Sequence, residues 1–374
     1  MLYLAQELSS TVFLVPEMSN IEYILIGYAL FITTISFIHL IRVDAWWIRI
    51  WDFPHLQLTV LSALGLLGWA VFSRNTDWPM MVAVGGLLVA MLYEGWLIYP
   101  FTPLHRKQVK YLRKRKAGEK EQNLIRILNA NVYMDNTHCP DVLKLVQKYE
   151  PDVVMILEAN QRWQDAMQPL ETSFPYQILH PLENTYGLLF YSRLPIRHQE
   201  VRFLIQDDIP SIYVQLEMAS GQLVHFYGIH PMPPSPTEHY RSTERDAELL
   251  VVGKEVRNQK GPVIVAGDLN DVAWSHTTRL FQRISGLLDP RVGRGLYNTF
   301  HARYFFMRWP LDHIFVSHHF KLRKIRRLPN CGSDHFPILI ALVYDPEPVA
   351  RETPQPERDD LQETEEIIER ADAD

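Results

Sequence analysis

Gly332-Ser333-Asp334-His335-Phe336-Pro337 runs directly into the apolar stretch Pro337-Ile338-Leu339-Ile340-Ala341-Leu342-Val343. An unbroken apolar run of this length reads as a buried strand, so the polar triplet sits on the loop that feeds it. A carboxylate next to an imidazole at a strand mouth is a proton-handling pair if it faces a cleft, and a solvated turn if it does not. The rest of the chain decides between the two.

The same placement recurs upstream. Asn131 lies near the end of Arg126-Ile127-Leu128-Asn129-Ala130-Asn131-Val132, and Glu158 closes Asp152-Val153-Val154-Met155-Ile156-Leu157-Glu158. A carboxylate after a buried strand is costly in apolar surroundings, so it is either solvated or paired with a cation. An amide and a carboxylate are hard oxygen donors of the kind Mg²⁺ or Mn²⁺ prefers. His230 ends Tyr227-Gly228-Ile229-His230-Pro231, and Val263-Ile264-Val265-Ala266-Gly267-Asp268-Leu269-Asn270-Asp271 brings an acid and an amide two residues apart. On extended backbone such a pair projects to one side, where both can address a single substrate atom. Leu311-Asp312-His313-Ile314-Phe315-Val316 adds an acid at a strand start. One such residue is a turn cap; the repeated pattern points to a shared rim.

These motifs, in this order, resemble the endonuclease/exonuclease/phosphatase superfamily with its deoxyribonuclease I-like fold, over roughly Asn123–Asp345. The chain looks most like the membrane-anchored bacterial branch. The resemblance implies an α/β protein, a four-layer α/β/β/α sandwich of two packed mixed sheets flanked by helices, and metal-dependent hydrolysis of a phosphoester. It implies that Asn131 and Glu158 form the metal-site pair, with Mg²⁺ or Mn²⁺ as cofactor and Asp334 close to the metal. By the same resemblance, His230 contacts the scissile phosphate or protonates the leaving group, and Asp268 and Asn270 orient the attacking water and hold the phosphate. Asp312 orients the imidazole of His335. Some nucleases of the family carry an acid two residues after the metal-site Asn; here Tyr133 stands there, with Asp135 two further on. One metal or two, and whether Asp268 or His335 takes the water's proton, are open at this point.

The 374 residues exceed one ordinary domain, and the apolar ones are concentrated in 21–101. Segments 21–41, 56–72 and 79–101 are each about long enough to cross a bilayer, with Glu22 and Glu94 the charged residues inside them. Trp46, Trp47, Trp51, Trp69, Trp78 and Trp96 lie near their ends, as in interfacial aromatic belts. After a segment 1–20, this predicts a transmembrane region of three helices, then a basic juxtamembrane linker 102–121, a catalytic domain 122–345 and an acidic, disordered tail 346–374. Leu361, Ile367 and Ile368 are that tail's only hint of an amphipathic helix. Arg42 and Arg49 in the first loop and the Arg106–Lys120 cluster favour a bacterial inner-membrane protein whose catalytic domain is cytoplasmic. Cys139 and Cys331 give neither a disulfide framework nor zinc-like spacing.

The net charge of −6 arises in the tail, and acids and bases nearly balance over 122–343. A duplex-binding nuclease is expected to present a basic face. The substrate is therefore read first as a nucleic acid cleaved by an endonuclease-type phosphodiesterase, with a phospholipid, as for sphingomyelinase-like relatives, or a small phosphoester as the alternative. The catalytic part shows no long hydrophobic insertion, which counts against lipid. A non-catalytic membrane scaffold has no need to retain the whole set of strand-end residues.

Overall fold

The computed structural model describes residues 18–73, 75–112, 123–347 and 353–373. Arg74 and most of the basic cluster, Arg113 to Lys120, lie outside the described residues. In chain order the helices are α1 (Asn20–Ile38), α2 (Trp46–Arg49), α3 (His55–Phe72), α4 (Trp78–Ile98), α5 (Cys139–Tyr149), α6 (Gln161–Met167), α7 (Thr243–Asn258), α8 (His276–Ser285) and α9 (Asp360–Ala373). The strands are β1 (Leu124–Asn131), β2 (Val153–Leu157), β3 (Tyr176–His180), β4 (Leu188–Ser192), β5 (Ile196–Arg202) and β6 (Ser211–Glu217), then β7 (Leu223–Ile229), β8 (Val263–Asp268), β9 (Asp312–Val316), β10 (Phe320–Arg327) and β11 (Ile338–Tyr344).

The chain divides into two compact units. The first comprises the described residues up to Leu40 together with His55–Trp96, and holds α1, α3 and most of α4. These three helices are long and apolar enough to cross a membrane. Ser19 and Glu22 form a capping box that satisfies the first amides of α1. Glu94, read from sequence as snorkelling or pairing with another helix, is fully buried with its Oε2 against Nδ1 of His55 on α3. An ionisable side chain inside an apolar bundle is costly unless it finds such a polar partner.

The second unit runs from Ile41 to Pro54 and from Leu97 onward. Its two sheets have the strand orders β10-β11-β1-β2-β4-β3 and β5-β6-β7-β8-β9. β1 and β2 are parallel, as are β7 and β8, and the remaining neighbours are antiparallel. The unbroken apolar runs follow from burial on both faces. Within β2, Val153, Met155 and Leu157 enter the core between the sheets, with Val214, Phe226, Ile264 and Ile314. Val154 and Ile156 pack outward, in a cluster with Val142 and Val146 of α5 and Trp163 of α6. Leu249 and Val252 of α7 and Phe281 of α8 cover the second sheet through Tyr227, Val265 and Phe315. Each such side chain contributes roughly 1.5–3 kcal/mol on burial. The four layers expected from sequence are present.

The boundaries differ from expectation in two places. Ile41–Pro54 belongs to the α/β unit rather than to the apolar one. Asp44 accepts a hydrogen bond from Thr243 Oγ1 at 2.6 Å, Ala45 pairs with Arg241, and Trp274 Nε1 donates to the Asp52 carbonyl at 2.7 Å. The start of the basic linker also packs here, with Val109 buried and Tyr111 bridging to Leu322.

The tail read as disordered also departs from expectation, because α9 docks on α7 and α8 through Ile367, Ile368 and Ala371. Its acidic residues are matched by bases far away in sequence: Asp360 with Arg283 at 2.6 Å, Glu363 with His276 at 2.7 Å and Glu365 with Lys254 at 2.7 Å. Replacing Ile367 with Asp should release the helix, at about 2–4 kcal/mol. Loss of amide-exchange protection over 360–373, with the sheets unaffected, is the expected readout.

Candidate active site

Two parallel strand pairs carry their carboxyl ends to one edge, where the antiparallel β9 and β11 begin. Register places Asp268 opposite Asp312 across β8 and β9, and Asn129 opposite Ile338 across β1 and β11. A Cβ at Gly267 would stand 1.8 Å from the Ile229 carbonyl oxygen, so only glycine lets β8 approach β7 at the point where it delivers Asp268. Glu158 and Asn270 leave their strands with φ of 59° and 50°. These left-handed turns aim the side chains across the rim at a local cost of roughly 1–3 kcal/mol each.

Five of the residues singled out from sequence form one connected array. Asn131 Nδ2 donates to Glu158 Oε1 at 2.6 Å and to Asp268 Oδ2 at 3.0 Å. Asp268 Oδ2 stands 3.4 Å from His335 Nε2, and His335 Nδ1 meets Asp312 Oδ2 at 2.8 Å. Asp268 Oδ1 accepts the Asn270 amide at 3.0 Å, and Asn270 Nδ2 donates to the Pro231 carbonyl at 2.9 Å, next to His230. His230 is buried, and its Nδ1 has no hydrogen-bond partner among the described residues. Asp334, half-buried, has its Oδ1 3.3 Å from Ser333 Oγ.

Four supporting residues were given no role in the sequence reading. Asn129 Nδ2 donates to Asp312 Oδ1 at 3.0 Å, and Thr299 Oγ1 accepts the Asp312 amide at 3.1 Å. Ser333 Oγ donates to the Asn131 carbonyl at 2.9 Å and accepts the His335 amide at 3.0 Å, which ties the opening triplet to β1. Tyr186 meets His230 in a tilted ring contact, centroids 5.4 Å apart, and donates a hydrogen bond to Glu238. Asn129 was recoverable: Asn129 and Asn131 share the two-residue spacing of Asp268 and Asn270, so both lie on one side of β1.

The array separates the two histidines electrostatically. Burial opposes charge on His335, but Asp268 and Asp312 outweigh it and push the imidazole up to about 10. Burial takes His230 down to about 4, Asp268 opposing and His335 assisting. At neutral pH His335 is a cation and His230 is neutral. Burial lifts Glu158 to about 7 against the Asn131 hydrogen bond, with Asp334 and Asp268 adding to the rise. Asp268, Asp312 and His335 form a buried cluster whose ligating atoms lie within 4.8 Å of one another. The carboxylates Glu158, Asp268, Asp312 and Asp334 face His335 as the cation of the array, a donor set that fits a divalent ion.

A fold of two helix-flanked sheets with acids, amides and imidazoles converging at the strand ends defines a class of phosphoester hydrolases. Residues 128–335, more than half of the chain, match the model of the Endonuclease/Exonuclease/phosphatase family, and the chain belongs to that family of enzymes. Family enzymes generally use divalent metals. The chain is 26% identical over 136 residues to the UPF0294 protein of Vibrio campbellii, covering 36% of this chain and 45% of that one. It therefore spans about half the length of the curated relatives it matches. Among solved structures, an endonuclease/exonuclease/phosphatase family protein from Bacteroides thetaiotaomicron is 17% identical with a TM-score of 0.49, over 61% of this chain and 98% of that one. D. rerio TDP2 complexed with a single-strand DNA product is 17% identical, also with a TM-score of 0.49, over 59% of this chain and 98% of that one.

Proposed function

We propose that this chain is a membrane-anchored phosphodiesterase that uses Mg²⁺ or Mn²⁺. The observation that carries the reading is the continuous array Glu158–Asn131–Asp268–His335–Asp312, assembled from four strand ends and the loop before β11. Hydrolysis adds water across a P–O bond and yields a phosphomonoester and an alcohol. A divalent ion held by Glu158, Asn131 and Asp334 would stabilise the charge that builds on the phosphoryl oxygens. Asp268 takes the proton of the attacking water, because His335, held as a cation by two carboxylates, has no free base to offer. His335 places its charge beside the developing phosphorane oxygens and gives its proton to the leaving alkoxide, to be reprotonated as Asp268 loses the water's proton, with Asp312 fixing the ring. His230 and Asn270 hold the phosphate, His230 as a neutral hydrogen-bond donor.

Chelation followed by metal titration tests this on the full chain in detergent with bis(p-nitrophenyl) phosphate. Turnover should vanish with EDTA and return with Mg²⁺ or Mn²⁺. A cation needs Glu158 deprotonated, and burial holds its pKa at about 7. Apparent metal affinity should therefore fall about tenfold per pH unit below that value and level off above it. Turnover that survives chelation, or an affinity flat from pH 5 to 8, contradicts the assignment.

The anchor is supported by the three apolar helices, and the cytoplasmic placement by Arg42 and Arg49 in the segment 41–54. That segment packs within the α/β unit, which supports both lying on one side of the bilayer. A nucleic-acid strand, as an endonuclease substrate, and a lipid headgroup both present a phosphodiester. The surface bordering the array favours the lipid.

A further inference from the structure

Next to the array stands a hairpin whose tip neither the core nor the chemistry uses. Thr299 and Phe300 pair with Trp309, the His301 amide donates to the Met307 carbonyl at 2.8 Å, and a turn links Tyr304 to Met307. The base of the hairpin belongs to the site: Phe300 bridges to His335 with ring centroids 4.9 Å apart, and the Ala302 amide bonds the Asp334 carbonyl at 2.6 Å. Its tip faces outward, with Tyr304 50%, Phe305 80%, Phe306 57% and Met307 40% exposed. Arg303 is exposed on one shoulder, and Arg308 on the other lies over the Phe336 ring. The sequence reading found no long hydrophobic insertion in the catalytic part; a short one is present, and its four residues are too few to register as an apolar segment.

We propose that Tyr304–Met307 is a membrane-insertion tip that seats the rim of the active site in the headgroup layer of anionic phospholipid and delivers a lipid phosphodiester to the array. This rests on the phosphodiesterase reading and names its substrate class. Leaving four apolar residues in water beside a catalytic centre is unfavourable unless something covers them. The bilayer is the occupant the chain itself specifies. Trp309, at the hairpin base, packs edge-on against Phe53 at 5.5 Å. Phe53 lies two residues before His55, which opens an apolar helix long enough to span. The hairpin base thus packs on the segment that leads, in sequence, into that helix. The segment carrying Phe53 also exposes Trp47 and Ile50, at 49% and 50%. Aromatic and aliphatic residues flanked by arginine suit the interface, with rings at the acyl boundary and guanidinium groups at phosphate. A strand of bases would need a stacking platform, but Phe305 and Phe306 cross at 87° and His301 and Tyr304 at 60°.

The test places a spin label at Phe305→Cys in the full chain, reconstituted in nanodiscs of phosphatidylcholine and phosphatidylglycerol. Cys139 and Cys331 are both buried, so the new thiol labels selectively. The label should be more accessible to oxygen than to a water-soluble nickel chelate, the reverse of a reference label at the exposed Arg197→Cys. Equal behaviour at the two positions overturns the proposal. So does protection of the Phe305 label by a single-stranded oligonucleotide and not by lipid.

A paired measurement takes the ratio of phosphatidylglycerol turnover to bis(p-nitrophenyl) phosphate turnover. Burying each phenyl ring is worth roughly tenfold or more in partition. The Phe305→Glu/Phe306→Glu variant should therefore lower that ratio at least about tenfold, and an unchanged ratio counts against insertion. A wild-type chain that hydrolyses neither substrate defeats the phosphodiesterase reading, while label depth still judges the tip.

Discussion

Replacing Asp268 with Asn is expected to lower kcat on a phosphodiester about 10³-fold, with little change in the melting of the α/β unit. Asn keeps the shape of a fully buried side chain whose Oδ1 accepts the Asn270 amide and whose Oδ2 accepts from Asn131. It removes the carboxylate proposed as the base and a charge that holds His335 protonated. The pH profile adds a second readout. His335 is raised to about 10 and burial alone would depress it, so losing Asp268 should bring its titration down and shift the alkaline limb of residual activity to lower pH. Retention of more than a tenth of wild-type kcat, with an unmoved alkaline limb, would remove Asp268 from the chemistry. His335→Ala should lose turnover to a similar degree, whereas Asp312→Asn should lose less, because the Asn129 and Thr299 contacts still hold that position.

The strand-end residues were legible because each borders a run of apolar residues that has no alternative to burial. Asn131, Glu158, Asp268, Asp312 and His335 were found that way, and they meet in one array. Edge strands were harder to read. β3 and β5 each pair with a single neighbour, and the exposed, charged sequence of β5 carries almost no periodic signal. α9 was missed for another reason. Its charges are matched by Lys254, His276 and Arg283, which lie 111, 87 and 77 residues away from their partners, and no local count can reveal such pairings. The hairpin tip escaped because its meaning depends on exposure, which composition does not give.

The second large effect is expected away from the array, at Arg245. Its guanidinium is 2% exposed and bonds Asp246 through Nε at 2.9 Å and Nη2 at 2.7 Å. Nη1 donates to the Asn270 carbonyl at 2.8 Å and lies 3.6 Å from Asp271. Behind it sits Asp52, brought in by the segment 41–54 and pushed up to about 7 by burial and by Asp271. Arg245 thus supports the loop carrying Asn270 while balancing buried acids that arrive from three places in the chain. Arg245→Ala leaves those acids without it, at about 3–5 kcal/mol. A carboxylate raised in the folded state binds a proton that the unfolded chain releases, so the stability it contributes is greatest at acid pH and falls as pH climbs through the window from about 4 to 7. Without Arg245, Asp52 and Asp271 titrate higher still, and the deficit in melting temperature should be larger at pH 8 than at pH 6. Arg245→Lys should recover much of the stability but leave the Asn270 carbonyl without its donor, so that kcat stays low while the fold returns. A deficit independent of pH, or a lysine variant with normal kcat, would reduce Arg245 to packing and detach Asp52 from the site.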